Sequence, residues 1–512
     1  MDIVENICLG IDCADGDAIE QAKQKIGRTP EVPGRIYKKS IDARHKNNIK
    51  FVYSVIFEKD KEEAGPIKAN FGTDPQKTRP AVIGCGPAGM FCALVLAENG
   101  YNPAVFEMGG DMDTRIKKVD TLFSEGILDE KTNVCFGEGG SGTFSDGKLT
   151  TKINDKYCKF VLDKFARLGA PEDILYQAKP HIGTDKIRAV TKKIRGEIQK
   201  NGDIYFNAEL TDIEKNADHV KFTVNGGETF KTSGLFLAAG QNSFDLYELL
   251  LKKGFSIVPK PYSVGVRIEH KQSYIDELVY GRLAGHKNLP PGEYALSHKK
   301  PDTRGVYTFC MCPGGVVVNS SAQRGAIVTN GMSYRARSDE NANAAIAASV
   351  FSEDYGGDIR GALGFRETIE KSAFEIKNEG FAAPVQVLGD YMENKTGSLQ
   401  KSRVIPSYTG KITEYDLNKL FPEFINQTIK QGITQFDRAL KGYYCKEAIL
   451  TAPETRTSSA VRILRDGYDL CSAGCEYIYP CGEGAGYAGG IMSSAVDGIK
   501  CAVKYMEKWK NR

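Results

Sequence analysis

The sequence predicts an α/β protein of two or three domains, and three observations carry that reading. Its 512 residues exceed what one hydrophobic core organises. From Pro80 the chain reads strand, glycine turn, helix, strand, a βαβ unit of about thirty residues. On either side of that unit, strand-like and helix-like segments mix without an internal repeat or a low-complexity tract.

Taken in order, residues 1–75 offer an apolar run at "NICLGID", a helical "GDAIEQAKQKIG", then "GRIYKKSIDAR" and the alternating "IKFVYSVIFE". Strand, helix, strand, strand predicts a small N-terminal α+β domain of ferredoxin-like kind. "DKEEAGPIKANFGTDPQKTRP" is polar and punctuated by Gly and Pro, as a linker is. Next, "PAVIGCGPAGMFCALVLAENGYNPAVFEMGG" predicts a strand over Ala81–Ile83, a helix closing at Asn99-Gly100, and a strand ending in Glu107. "KFVLDKFARLGAPEDILY" and "KIRAVTKKIRGEIQKNG" have helical amphipathicity, and strands with hairpin turns follow as far as Gly240. Residues 261–440 lose the apolar repetition and read as an inserted substrate or cap domain. Residues 79–260 and 441–512 then form one discontinuous domain, closed by the strand, glycine loop and helix of "YIYPCGEGAGYAGGIMSSAVDGIKCAVKYMEKW".

The bulk numbers exclude some classes. Lys+Arg 68 against Asp+Glu 65 gives a net charge of +3, which argues against a nucleic-acid or membrane-surface protein. The basic "GRIYKKSIDARHKNNIK" reads as solvated surface, with an RNA-recognition role as the rival. No apolar run reaches the roughly 18 residues of a membrane span, and the N-terminus shows no basic-then-apolar leader, so a cytoplasmic location is expected. The thirteen cysteines are scattered through apolar contexts and read as free thiols in a reducing compartment. Cys471, Cys475 and Cys481 match no zinc or iron-sulfur spacing, so no metal is expected.

Gly84-x-Gly86-x-x-Gly89 follows a predicted strand and opens a predicted helix. Gly84 serves the tight turn, Gly86 lets backbone approach a pyrophosphate, and Gly89 lets helix and strand pack closely. The helix N-terminus faces the phosphates and Glu107 can accept from a ribose. Two later stretches favour FAD over NAD as the dinucleotide. One is "GLFLAAG", ending in Ala239 and Gly240. The other is "YPCGEGAGYAGGI", where Gly482 and Glu483 take the place of a Gly-Asp pair and a helix near Gly490 aims its dipole at the flavin. No second strong glycine fingerprint exists for a nicotinamide, so NAD(P)H is expected at most as a transient electron donor, with an electron-donor protein as the other source. "FGEGGSGTFSDGKL", residues 136–149, adds backbone N–H groups and the side chains of Thr143, Ser145 and Asp146 to the same cofactor set.

Together "GCGPAGMFCALVLAENG", "NVCFGEGGSGTFSDGKL", "YSVGVRIEH", "FCMCPGGVVV", "TNGMSYRARSDENANAA", "ETRTSSAVRI" and "YPCGEGAGYAGGIMSSAVDGI" resemble a mostly uncharacterised bacterial family of FAD-dependent dehydrogenases. The family lies within the two-dinucleotide-binding-domain flavoproteins, with BaiN-like proteins and aromatic-ring hydroxylases. The resemblance implies a Rossmann-like FAD-binding domain in discontinuous segments, an inserted α+β substrate domain and the small N-terminal domain. It implies that non-covalent FAD is held by Gly84, Gly86, Pro87, Ala88, Gly89, Glu107 and Met108, with Arg115 against a phosphate. Gly137, Gly139, Gly140, Ser141, Gly142, Thr143, Ser145, Asp146, Gly147 and Lys148 would wrap the ribityl and isoalloxazine portions with Gly482, Glu483, Gly489, Gly490 and Ile491. Leu210, Ala239 and Gly240 complete the set.

For the chemical step a flavin supplies the hydride acceptor, so the chain needs only to place a small-molecule substrate and manage a proton. Cys310 and Cys312 in "CMCPGG" are either packed strand residues or an acid or redox thiol. Glu454, Arg456 and Arg462 are either a carboxylate clamp or a structural ion-paired loop. Arg267 and His270 open a strand into the inserted domain, and Lys148 ends the glycine loop as a cofactor contact. The expected activity is a dehydrogenase or C=C reductase. A flavin monooxygenase, or a non-redox protein associated with RNA modification, are the alternatives.

Overall fold

The computed structural model describes residues 2–27, 32–58, 65, 67, 78–299 and 303–508, so the expected linker at 60–80 lies largely outside the described residues. Strand β1 (Asp2–Gly10), helix α1 (Asp15–Ile26) and strands β2 (Gly34–Asp42) and β3 (Lys50–Phe57) form an antiparallel sheet in the order β1-β3-β2. The strand-helix-strand-strand order is as expected. Alternation puts Ile7, Leu9, Phe51, Tyr53 and Val55 on one face, where α1 covers them with Ala18 and Ala22. Tyr280 joins the same core, and the Lys39 backbone pairs with the 176–178 segment, so the unit is anchored on two sides.

The second sheet is all parallel and runs Ile478–Pro480, Leu235–Leu237, β4 (Ala81–Ile83), β5 (Ala104–Glu107), Asp203–Phe206. Helix α2 (Pro87–Glu98) is buried from Ala88 to Ala97, as expected of an element apolar on every face. Two glycines set its distance from its neighbours. A Cβ on Gly89 would stand 1.9 Å from the Gly84 carbonyl oxygen, and one on Gly498 of the last helix, Ile491–Lys508, would stand 2.0 Å from the Ala88 oxygen. An antiparallel layer of Leu210–Lys215, Val220–Val224 and Glu228–Thr232 adds Phe222 and Phe230, whose rings lie 5.3 and 5.0 Å from that of Phe106 in β5.

The third sheet has seven strands, in the order Ser297–His298, Val306–Cys312, Asn341–Val350, Tyr262–Lys271, Ile449–Glu454, Ala383–Val387, Ile412–Glu414. Its central Asn341–Val350 and Tyr262–Lys271 are buried almost throughout, and a Cβ at Gly265 would lie 1.9 Å from the Ile346 oxygen. Here the expected domain boundary at 441 is corrected: Ile449–Glu454 pairs with Tyr262–Lys271 and belongs to the inserted sheet. The chain enters and leaves the insertion through a two-stranded ribbon, Ile257–Pro259 against Val461–Ile463.

Candidate functional site

The turn between β4 and α2 is built for a backbone contact. Gly84 sits at φ +99°, and a Cβ there would be 2.7 Å from the Ala238 oxygen. Gly86 is the N-cap of α2 and brings no side-chain cap, so the first amides of that helix have no side-chain partner at the cap. A Cβ at Gly86 would meet only the Cα of Gly140, at 3.8 Å. Pro87 at the first helical position adds no N–H, and Ala88 and Gly89 follow it at the positive end of the dipole. Glu107, 6% exposed, has a carboxylate that accepts from the amides of Cys85 (2.7 Å), Gly109 (2.9 Å) and Gly137 (2.9 Å). It thereby joins the turn, the end of β5 and the glycine loop, while Met108 passes half-buried beside it.

The glycine loop is folded around Arg115, and this corrects its expected phosphate contact. Arg115 is fully buried in helix α3 (Met112–Glu125) and all three guanidinium nitrogens are engaged by the loop. Nε donates to Asn133 O (2.8 Å), Nη1 to Glu138 O (2.6 Å) and Thr143 Oγ1 (2.8 Å), and Nη2 to Val134 O (2.8 Å). The ring of Phe144 stacks 4.7 Å from the guanidinium carbon. Such a loop replaces the hydrogen bonds of a regular element with those of one cation, so it is no linker. The amide of Gly139 donates to the Cys85 oxygen at 2.7 Å, which lays the loop on the turn of β4. Gly137, Gly139, Gly140 and Gly147 all have positive φ, and Ser141–Phe144 form one turn of 3-10 helix carrying Gly142.

Three further side chains of the loop also turn inward. Ser145 Oγ donates to Gly142 O at 2.8 Å, closing its own turn. Asp146 is paired with Arg337 through two bonds of 3.0 and 2.6 Å, and these hold its carboxyl below the ordinary range against the effect of burial. Lys148 donates to the Met311 carbonyl of the inserted sheet. The loop therefore offers its backbone, while its side chains Thr143, Ser145, Asp146 and Lys148 fix its shape.

The C-terminal glycine loop closes the cradle. Gly482 (φ +80°) donates to Asp497 at 2.8 Å, and Asp497 is held in turn by Arg465 at 2.6 Å. Glu483 accepts from Gln241 Nε2 at 2.9 Å, directly after Ala239 and Gly240. Burial pushes the Glu483 carboxyl up to about 7, with the Gly490 amide and Lys260 acting against it. Gln241 and Lys260 are contacts that the sequence reading missed. Gln241 lies four residues past the strand Leu235–Leu237, and only its partner across 242 positions shows its role. Gly489 and Gly490 precede Ile491, where the last helix begins, and a Cβ on either glycine meets nothing within 4 Å. Leu210 stands apart, opening the antiparallel layer just after the 207–208 segment that pairs with the end of β5.

The expected carboxylate clamp is an ion-paired scaffold. Arg456 is bound by Glu370 through Nε (2.8 Å) and Nη2 (2.6 Å), and gives Nη1 to Asn242 at 2.9 Å. Arg267 is fully buried, paired with Glu454 at 2.9 and 2.8 Å, and donates to Asn343 (2.8 Å) and Cys310 O (3.1 Å). Arg462 donates to Gly486 O at 3.2 Å. His270 is buried against Tyr443 O at 3.0 Å and held by burial near 4, a neutral structural imidazole.

Residues 261–457 match the family FAD-dependent protein, C-terminal domain-like. Over 99% of its length the chain is 42% identical to an uncharacterized protein of Clostridium beijerinckii, and the match spans 98% of that protein. The chain belongs to one family with that Clostridium protein, and its residues 261–457 carry the FAD-dependent protein, C-terminal domain-like segment. Among solved structures it is similar to halogenase PltM in complex with phloroglucinol and FAD (TM-score 0.38, 13% identity, 85% of this chain and 70% of that one). It is similar also to tetracycline destructase Tet(51) (TM-score 0.34, 9% identity, 85% and 82%). Likenesses this distant carry no argument about chemistry.

FAD is the cofactor of the FAD-dependent protein, and three features of the cradle fit it. The N-terminus of α2 lacks a side-chain cap, and the missing Cβ of Gly86 keeps open the approach to it. Gln241 Oε1 is buried and accepts from nothing among the described residues, beside Glu483. Glycine turns from three separated segments converge there, which gives backbone N–H groups to a polyanion without a Cβ in the way. Among the described residues no group of three or more His, Cys, Asp or Glu could hold a metal, and no helix is long and apolar enough to cross a membrane.

Proposed function

We propose that the chain is an FAD-dependent oxidoreductase that transfers a hydride between flavin and a small organic substrate, as a dehydrogenase or a C=C reductase. When bound, FAD supplies two-electron hydride chemistry. The observation that carries the reading is Glu483, a carboxyl brought by burial to about 7 inside the glycine cradle. A group that titrates there can hold or release the proton that accompanies a hydride. Gln241 orients that carboxyl from one side, and Arg456 keeps Gln241 in place by accepting its second N–H on the Arg456 carbonyl at 2.8 Å. The ring of Phe244 lies 4.5 Å from the Arg456 guanidinium and shields this wall from water. An NAD(P)H donor or an electron-donor protein would bind transiently, and the protein would act in the cytoplasm.

The test is an anaerobic screen of small organic compounds for those that reoxidise the photoreduced protein. A compound that restores the oxidised flavin spectrum and is recovered reduced supports the reading. Reoxidation only by oxygen, with oxygen inserted into the organic product, would overturn it in favour of a monooxygenase.

A further inference from the structure

Cys310 and Cys312 lie on the cap sheet outside its scaffold of ion pairs. They sit where the strand Val306–Cys312 breaks register with its neighbour, between Phe309 and Cys312. Cys310 has φ +44°, a left-handed conformation that a non-glycine residue keeps only when its surroundings impose it. Bulges re-aim side chains, and this one turns the Cys310 thiol to a half-buried position while Cys312 stays fully buried. In a regular strand residues two apart share a face at nearly 7 Å, too far for a disulfide; the kink folds Cys312 back on Cys310, and its Sγ donates to the Cys310 carbonyl oxygen at 3.3 Å.

The surroundings are those of a working thiol rather than a packed one. Lys148, from the cofactor's glycine loop, donates to Met311 O, the carbonyl of the residue between the two cysteines. Arg267 donates to Cys310 O at 3.1 Å from the other side. The Cys312 thiol, Lys148 and Arg267 hold the Cys310 thiol below its ordinary range, against burial and the opposing charge of Glu454. Hydrogen bonding to Cys310 and burial hold the Cys312 thiol up. The Lys148–Met311 bond ties the residue between the two cysteines to the glycine loop, so the pair stands beside that loop and not on a remote face.

We propose that Cys310 and Cys312 form a dithiol–disulfide couple beside the flavin cradle, and that the substrate they take is a disulfide. The proposal rests on the flavin oxidoreductase reading above. The Cys310 thiol first gives its proton to solvent, and the thiolate attacks one sulfur of the substrate; the substrate S–S bond breaks and its first thiolate leaves, taking up a proton from solvent. Cys312 then loses its proton and attacks the Cys310 sulfur, releasing the second substrate thiol, which takes that proton. The chain is oxidised by two electrons and the substrate disulfide reduced by two. Reopening the Cys310–Cys312 bond takes two electrons and one proton as a hydride equivalent from a donor of the reduced-flavin class, and the second proton from solvent. Cys310 is the attacking group because it is the more exposed and the more acidic of the two.

The experiment uses flavin-loaded protein and glutathione disulfide as the probe, read by intact and peptide mass. Expected are a Cys310–Cys312 crosslink in the wild type, a stable glutathione adduct on Cys310 in C312S, and neither in C310S. Anaerobic dithionite titration of the oxidised wild type should then take two more electrons per flavin than C310S/C312S. The proposal is overturned if glutathione remains on wild-type Cys310 without closing the crosslink. It is also overturned if the exposed Cys8 and Cys13 react while 310 and 312 stay alkylatable, or if the titrations coincide. The mass readout does not depend on flavin redox, so the wild type alone decides if a variant fails to fold. Flavin content, read separately, tells failure of the couple from failure of the flavin reading.

Discussion

The parallel sheet and the seven-stranded sheet meet at one cradle, yet they contribute to it in opposite ways. The parallel sheet offers mainly backbone: glycine turns at Gly84–Gly89, 137–147 and 482–490, with Glu483 as the side chain that joins them in the cradle. The seven-stranded sheet and the segments packed on it offer side chains, and buried charges there are already committed to each other: Arg267 to Glu454 on the sheet, and Arg456 to Glu370 of the helix Ile359–Glu375. A backbone site depends on whether a Cβ fits; a side-chain site depends on which partner is already taken. Substitutions on the two sides should therefore fail differently.

The largest effect belongs to Gly89→Val. With a Cβ 1.9 Å from the Gly84 oxygen, backbone meets backbone and neither can yield, so we expect no soluble folded protein, checked by yield and circular dichroism. Gly86→Val sharpens the contrast a few residues away. Its Cβ meets only the Gly140 Cα at 3.8 Å, so the fold should survive while the approach to the uncapped helix is blocked. Flavin retention on gel filtration should drop by at least ~100-fold in affinity, about 3 kcal/mol. A folded G86V that purifies yellow would break the claim that this side acts mainly through backbone.

On the other sheet, Arg267→Met leaves Glu454 as a buried, unpaired charge. A broken buried pair costs about 3–5 kcal/mol, read as a shift of the urea midpoint. The double variant R267M/E454M should recover much of that loss, because no charge is then stranded. Equal losses in the single and double variants would mean that Arg267 matters through Asn343 and the Cys310 carbonyl instead.

The same contrast explains what could be read from the chain before folding. The glycine fingerprint, its βαβ setting and Glu107 lie within one short stretch, and the Cys85–Glu107 bond spans only 22 residues. Spacing of that kind is held within one βαβ unit, so the turn and the cofactor class were legible. The partners of Arg267, Arg337 and Arg456 lie 187, 191 and 86 residues away, and no local pattern marks them. Arg115 and Asp146 were assigned to the cofactor because their positions are right; their donors and acceptors are taken by groups that only the fold brings near. The boundary at 441 failed for a like reason, since Ile449–Glu454 has the composition of either sheet and its pairing with Tyr262–Lys271 decides.

The smallest expected effect tests Glu483, where backbone and side-chain logic meet. Its carboxyl titrates at about 7 in the folded protein, mainly through burial, against 4.5 when unfolded. Between those values the native state binds more protons than the unfolded state, so stability contributed by this group falls as pH rises from 4.5 to 7 and is level beyond. Glutamine cannot titrate. The urea midpoint of the wild type should therefore decline relative to E483Q from pH 5 to pH 7 and hold a constant offset above. An offset that does not change across that window would place the carboxyl in an ordinary, solvated setting. Glu483 would then be one more fixed hydrogen-bond acceptor, and the proton of the proposed hydride step would have to come from another group.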